Sequence, residues 1–152
     1  MNTINLKERN DLKSNLKLKN SYAQFEALLS ELQKKELPDS ITLYINEEVS
    51  SLNELPTNTE LLKSIRKKQT KIIQLVEKQV KIVPKNYYRN MWLAVGMSAF
   101  GLPLGVAIGL SLGNIGLLGI GLPIGMAIGA AVGSGMDKKA FKEGRQLDIE
   151  IK

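Results

Sequence analysis

From Asn90 to Met136, 47 consecutive residues carry no Asp, Glu, Lys or Arg, so all 21 basic and 15 acidic residues of the chain lie outside that window. Nothing else in the sequence restricts the fold as tightly. A membrane span needs roughly 20 apolar residues, and the window is long enough for two. Trp92 to Leu112 supplies 21 residues and Leu117 to Met136 supplies 20, which leaves Gly113-Asn114-Ile115-Gly116 as the connection. At about 1.5 Å per residue, each helix is about 30 Å long, matching a hydrocarbon core. Glycine and asparagine tolerate the positive φ of a tight turn, and so short a link makes the helices antiparallel neighbours. A buried soluble hairpin is the alternative, but a chain of this length has too little other apolar surface to wrap one.

Of 13 glycines, 12 fall between Gly96 and Gly135. They are periodic. Gly101-Leu-Pro-Leu-Gly-Val-Ala-Ile-Gly-Leu-Ser-Leu-Gly113 recurs as Gly121-Leu-Pro-Ile-Gly-Met-Ala-Ile-Gly-Ala-Ala-Val-Gly133. Gly101, Gly105, Gly109 and Gly113 form one stripe; Gly121, Gly125, Gly129 and Gly133 form the other. Lipid is as apolar as leucine, so helices associate in a bilayer through close van der Waals contact, which small-residue ridges permit. The eight glycines are therefore assigned to helix packing, and self-association through these zippers is expected. Pro103 and Pro123 occupy equivalent repeat positions and cannot donate to Ala99 and Gly119. A kink is expected at Pro103.

Lys78, Lys81, Lys85 and Arg89 precede the first span, Lys138, Lys139, Lys142 and Arg145 follow the second, and the connecting loop is uncharged. Because positive flanks stay on the cytoplasmic side, both termini are expected to face the cytoplasm. Tyr87, Tyr88 and Trp92 stand where an interfacial aromatic belt would be. The first twenty residues lack the apolar stretch of a signal peptide. The N-terminal region is thus expected to stay in the cytoplasm.

That region, residues 1–86, reads as a helical domain, three-helix or coiled-coil-like. Leu18, Tyr22, Phe25, Leu29 and Leu32 predict a helix over about 18–36, although Ser21 and Gln24 would suit a start near Ser21. Ile41, Tyr44, Ile45, Val49 and Leu52 predict a second over about 40–55. Thr57-Asn-Thr-Glu60 fits a capping box for a third over about 57–83, with Leu62, Ile65, Gln69, Ile72, Val76 and Val83 as a heptad seam and Pro84 as its stop. Residues 1–17 offer only Leu12 and Leu16 as apolar anchors. After the hairpin of residues 87–136, a cytoplasmic tail of residues 137–152 begins as a helical continuation. It ends with Leu147, Ile149 and Ile151 in strand-like alternation, with no partner strand visible.

Charge is segregated. Residues 20–60 hold two lysines and eight acids, whereas residues 61–89 hold nine basic residues and one acid. Two readings follow: the acidic helices neutralise the basic one in an antiparallel bundle, or the basic face meets anionic lipid headgroups. The second assigns membrane-surface contact to Lys63, Arg66, Lys67, Lys68, Lys71, Lys81, Lys85 and Arg89. No nucleic-acid module is recognisable, so nucleic acid is not an expected partner.

The chain has neither cysteine nor histidine, which removes thiolate chemistry, the usual zinc ligands and the usual neutral-pH base. There is no phosphate-binding loop, nucleophile elbow or metal-ligand cluster. No enzymatic activity, catalytic residue, metal or cofactor is expected. The hairpin is similar in shape to the membrane-ring subunits of ATP synthases, but those need an intramembrane carboxylate that this window lacks.

With its repeated Gly-Leu-Pro-x-Gly-x-Ala-Ile-Gly, the stretch Trp92–Met136 resembles the bacterial glycine-zipper membrane proteins. Gly135-Met-Asp-Lys-Lys-Ala and Gly144-Arg-Gln-Leu-Asp-Ile-Glu-Ile resemble a group of uncharacterised proteins from Bacteroidetes-type bacteria. The resemblance implies helix association in a bacterial inner membrane and brings no active site. The expectation is therefore an all-α membrane protein: a two-span hairpin preceded by cytoplasmic helices, homo-oligomeric, its protein partners unidentified. An oligomeric pore is the alternative, against which stands the lack of a polar stripe, since Ser98, Ser111 and Ser134 are nearly all the spans offer.

Overall fold

The computed structural model describes residues 5–9, 15–57 and 59–151 and is mostly helical. It divides into two compact units, one of residues up to Val83 together with Leu147–Ile151, the other Pro84–Gln146.

In the first unit, α1 (Leu16–Gln33) starts two residues before the periodic run, because Asn15 caps it by accepting the Leu18 N–H at 3.1 Å. Ser21 is buried inside the helix, so it is no start signal. Leu12 lies outside the described residues, and Leu16 is exposed. Pro38 precedes α2 (Asp39–Glu54), which buries Ile41, Ile45, Val49 and Leu52. Helix α3 (Thr59–Val80) packs against both α1 and α2. The capping box proposed for its start runs through Asn58, outside the described residues. Its seam uses Leu61 where Leu62 was expected, then Ile65, Gln69, Ile72 and Val76. Buried Gln69 donates from Nε2 to Gln24 Oε1 at 3.4 Å.

The third helix ends earlier than its heptads predict. Lys81 takes φ +59°, which halts the helix, and Val83–Lys85 becomes strand β1 with Pro84 inside it. Its partner is β2 (Gln146–Glu150), so the alternating tail does have a strand to pair with. Leu147 is 2% exposed, Asp148 donates its N–H to Glu31 Oε2 at 3.0 Å, and Gln24 Nε2 donates to the Glu150 carbonyl at 3.3 Å. The stretch 5–9 has no regular secondary structure. Arg9 sends its guanidinium to the carbonyls of Leu52 (3.0 Å) and Leu55 (2.7 Å) at the C-terminal end of α2, where the helix dipole favours a cation.

The second unit is a helical hairpin. Helix α4 (Tyr87–Gly96) passes through a π turn (Met97–Gly101) into α5 (Leu102–Ser111), and α6 (Leu118–Lys142) returns against all three. At the tip, the Asn114 side chain accepts the Gly116 N–H at 3.0 Å and a 3-10 turn (Ile115–Leu117) follows. Both limbs, Tyr87–Ser111 and Ile115–Lys142, are long and apolar enough to cross a membrane.

Candidate functional site

An α-helix brings every fourth residue back near the same face, so glycines at that spacing make a groove with no side chains. In this hairpin the two grooves face each other. A methyl group built on Gly121 would lie 2.1 Å from the Gly101 carbonyl oxygen; on Gly129, 2.0 Å from that of Trp92; on Gly105, 2.3 Å from that of Leu118. At Gly125 it would meet the Gly96 oxygen at 2.4 Å, and at Gly133 the Arg89 Cα at 2.5 Å. Gly101 and Gly109 have slightly more room, 3.1 and 3.3 Å to the nearest backbone oxygen. All the obstructing atoms are backbone, which cannot swing aside. The two limbs therefore touch main chain to main chain, a distance only glycine permits.

Gly113 does not belong to this seam. It lies at φ +62° in the turn with nothing within 4 Å of a built Cβ. Its place in the first stripe is taken by Gly96, five residues before Gly101. The π turn between them accommodates the irregular spacing, because its wider loop holds one extra residue and returns Gly101 to the face of Gly96. Pro103 follows directly, so the hydrogen bonds its missing N–H would disturb fall where the ladder has already changed register.

At the charged end of the hairpin, α6 anchors the start of α4. Asp137 is 7% exposed, and its carboxylate accepts the backbone N–H of Tyr88 at 3.1 Å and of Arg89 at 2.9 Å. Unpaired N–H groups and the positive end of the helix dipole attract a carboxylate there, but the cap normally comes from the residue just before the helix. Here that residue is Asn86, at φ +59° with no side-chain cap bond, and the cap comes from the other limb. Tyr88 is buried and stacks edge-on to Tyr87 with centroids 5.3 Å apart, so it is not part of an outward aromatic belt.

Beside this cap lies a groove of about 690 Å³. Arg89, Lys138 and Lys142 line it with Asp137; Asn86, Ser134 and Gln146 add polar atoms, and Ala130, Ala131 and Phe141 an apolar wall. Among the described residues, no group of three His, Cys, Asp or Glu side chains is placed to hold a metal.

The basic residues assigned to a membrane surface divide. Lys63, Arg66, Lys67 and Lys71 are exposed on α3. Lys68 instead forms an ion pair with Glu48 of α2 and reaches Ser51 Oγ at 2.6 Å. Burial, the largest influence on Glu48, pushes its carboxyl up. Hydrogen bonds from Lys68 and Tyr44, with the charges of Lys68 and Lys71, outweigh it and hold Glu48 below the ordinary 4.5. Lys81 pairs with Glu77 at 3.3 Å, Lys85 is exposed in β1, and Arg89 lines the groove. The bundle and the exposed basic face thus coexist in the first unit.

Asp137 belongs to no sequence motif, although it is the first charged residue after the 47-residue window and lies four residues beyond the last zipper glycine. No protein-family model matches the chain, and no curated protein or solved structure matches it.

Proposed function

We propose that the chain is a non-enzymatic integral membrane protein of the bacterial inner membrane, with both termini cytoplasmic, which self-associates laterally and uses its N-terminal helices for assembly or partner binding. The observation that carries this reading is the inverted packing of the hairpin. Its inner face is glycine, while Leu102, Val106, Leu110, Ile120, Ile124 and Val132 are exposed on the outside. The most apolar windows of the two limbs are only 22% and 17% buried, whereas the core helix of a soluble protein would be mostly covered. An exterior of this kind is suited to lipid.

Seven of the eight zipper glycines are occupied in closing the hairpin, so lateral association needs another surface. The outward face of α6 offers Gly119, Pro123, Ala127, Ala131 and Gly135, again every fourth residue and all exposed. Gly119 and Gly135 have nothing within 4 Å of a built Cβ. We assign self-association to this second stripe. A pore has less support, because the Ser98 hydroxyl donates back to the Ala94 carbonyl at 3.0 Å and so offers little polarity to a water path.

Two measurements test the reading. A reporter at Lys152 and a label at Asn114 should report opposite sides of the inner membrane; the same side for both would rule out two spans. Ala127→Leu with Ala131→Leu should abolish cross-linked oligomers while the hairpin still inserts. Unchanged cross-linking would remove self-association through this face.

A further inference from the structure

We propose that the groove at the charged end of the hairpin is a binding site for one anionic phospholipid, whose phosphate meets Arg89, Lys138 and Lys142 while an acyl chain continues past Ala130. The proposal rests on the membrane reading above and adds a defined site to it.

Charge is the first argument. Three cations line the groove against one carboxylate, Asp137, and both oxygens of that carboxylate already accept backbone N–H groups of α4. Its charge faces the helix terminus, which leaves the three cations without an acidic partner on the groove wall. Arginine can bind a phosphate through two parallel hydrogen bonds, and lysine supplies a mobile point charge beside it.

Depth is the second. Arg89 is the last charge before the 47-residue window, and Lys138 and Lys142 are among the first after it. In a bilayer that level is the headgroup region. The wall is also graded: cations and Ser134 give way to Ala130 and Ala131, deeper along the uncharged limb. Soluble phosphate would use only the first part. A lipid uses both, and about 690 Å³ has room for a headgroup with the start of a chain.

The site differs from diffuse attraction to α3, where Lys63, Lys67 and Lys71 are exposed on a helix surface and the groove does not include them. A basic residue near an anionic surface contributes about fivefold in affinity, so three acting on one lipid contribute on the order of a hundredfold.

The test uses the full chain in phosphatidylcholine nanodiscs containing a minor fraction of phosphatidylglycerol, with native mass spectrometry counting the lipid kept by the released protein. One phosphatidylglycerol per chain should be retained. The triple variant Arg89→Gln, Lys138→Gln, Lys142→Gln should lower that preference on the order of a hundredfold. It keeps the Asp137 cap, which uses only the backbone of residue 89. Lys138→Arg with Lys142→Arg should retain the lipid, and so should Lys63→Gln, Lys67→Gln, Lys71→Gln. Retention by the groove variant, or loss by the α3 variant, overturns the site. Displacement of the lipid by millimolar inorganic phosphate would make it a phosphate site and overturn the lipid assignment. Alkaline extraction of native membranes separates the two readings. Protein released by alkali defeats the membrane reading, and the lipid site with it; protein that stays but shows no lipid preference defeats the site alone.

Discussion

The carboxylate of Asp137, in the last third of α6, closes the first turn of α4 by accepting the backbone N–H of Tyr88 at 3.1 Å. A second oxygen takes the N–H of Arg89. The bond joins residues 49 positions apart and ties the open ends of the two limbs together. Replacing a capping side chain by alanine costs about 0.5–2 kcal/mol, and a buried charged acceptor lies at the upper end. Asp137→Ala should therefore lower the thermal midpoint of the hairpin in mild detergent. Asp137→Asn, which keeps an acceptor oxygen, should lose less. Equal midpoints for all three proteins would show that the contact does not contribute.

The seam makes a sharper distinction among chemically identical changes. Gly121→Ala and Gly125→Ala each force a methyl group onto backbone of the opposite limb, whereas Gly119→Ala and Gly135→Ala meet nothing. Overpacking costs about 1–3 kcal/mol, while alanine in an open helical position is neutral or favourable. Thermal unfolding in detergent should rank the first pair well below the second. If all four behave alike, the close approach of the limbs is wrong.

Acid should loosen the first unit. The pKa of Glu48 is held below its ordinary 4.5 in the folded protein, by bonds from Lys68 and Tyr44 that outweigh burial. A depressed carboxylate stabilises the fold fully above its unfolded pKa, and that stability is lost as pH falls through the folded value. Thermal melts by circular dichroism should thus show the N-terminal transition moving down as pH drops from 6 through the ordinary 4.5 and below. Lys68→Met should remove part of this dependence and cost about 1–3 kcal/mol at neutral pH. An unchanged pH profile in that variant would contradict the pairing.

Glu31 controls the C-terminal strand. Its carboxyl is lowered by a hydrogen bond from Lys34 and by the backbone N–H of Asp148. Glu31→Ala removes the acceptor for that N–H, so residues 147–151 should exchange amide hydrogens faster while α1 keeps its protection. Equal exchange in the strand would mean that Leu147 and the β1 pairing hold it without Glu31.

The sequence by itself determined what depends on composition and short periods. An uncharged window can be read without coordinates because burying a charge without a partner is costly, whichever fold results. The apolar repeats around Phe25, Ile45 and Ile72 likewise declare helices with one buried side, because helical geometry is local. Tertiary structure decided the partners. Glycines every fourth residue state that something approaches closely, but the same spacing serves a neighbouring molecule or the other limb. Only the fold placed Gly121 against Gly101 and brought Gly96 into line through the π turn. The pairing of β1 with β2, the Lys68–Glu48 bridge and the cap on α4 join residues from 20 to more than 60 positions apart. Such contacts are selected by the three-dimensional path of the whole chain, and no local pattern records them. Asp137 reads as one more polar residue after a span until the first turn of α4 is brought against it.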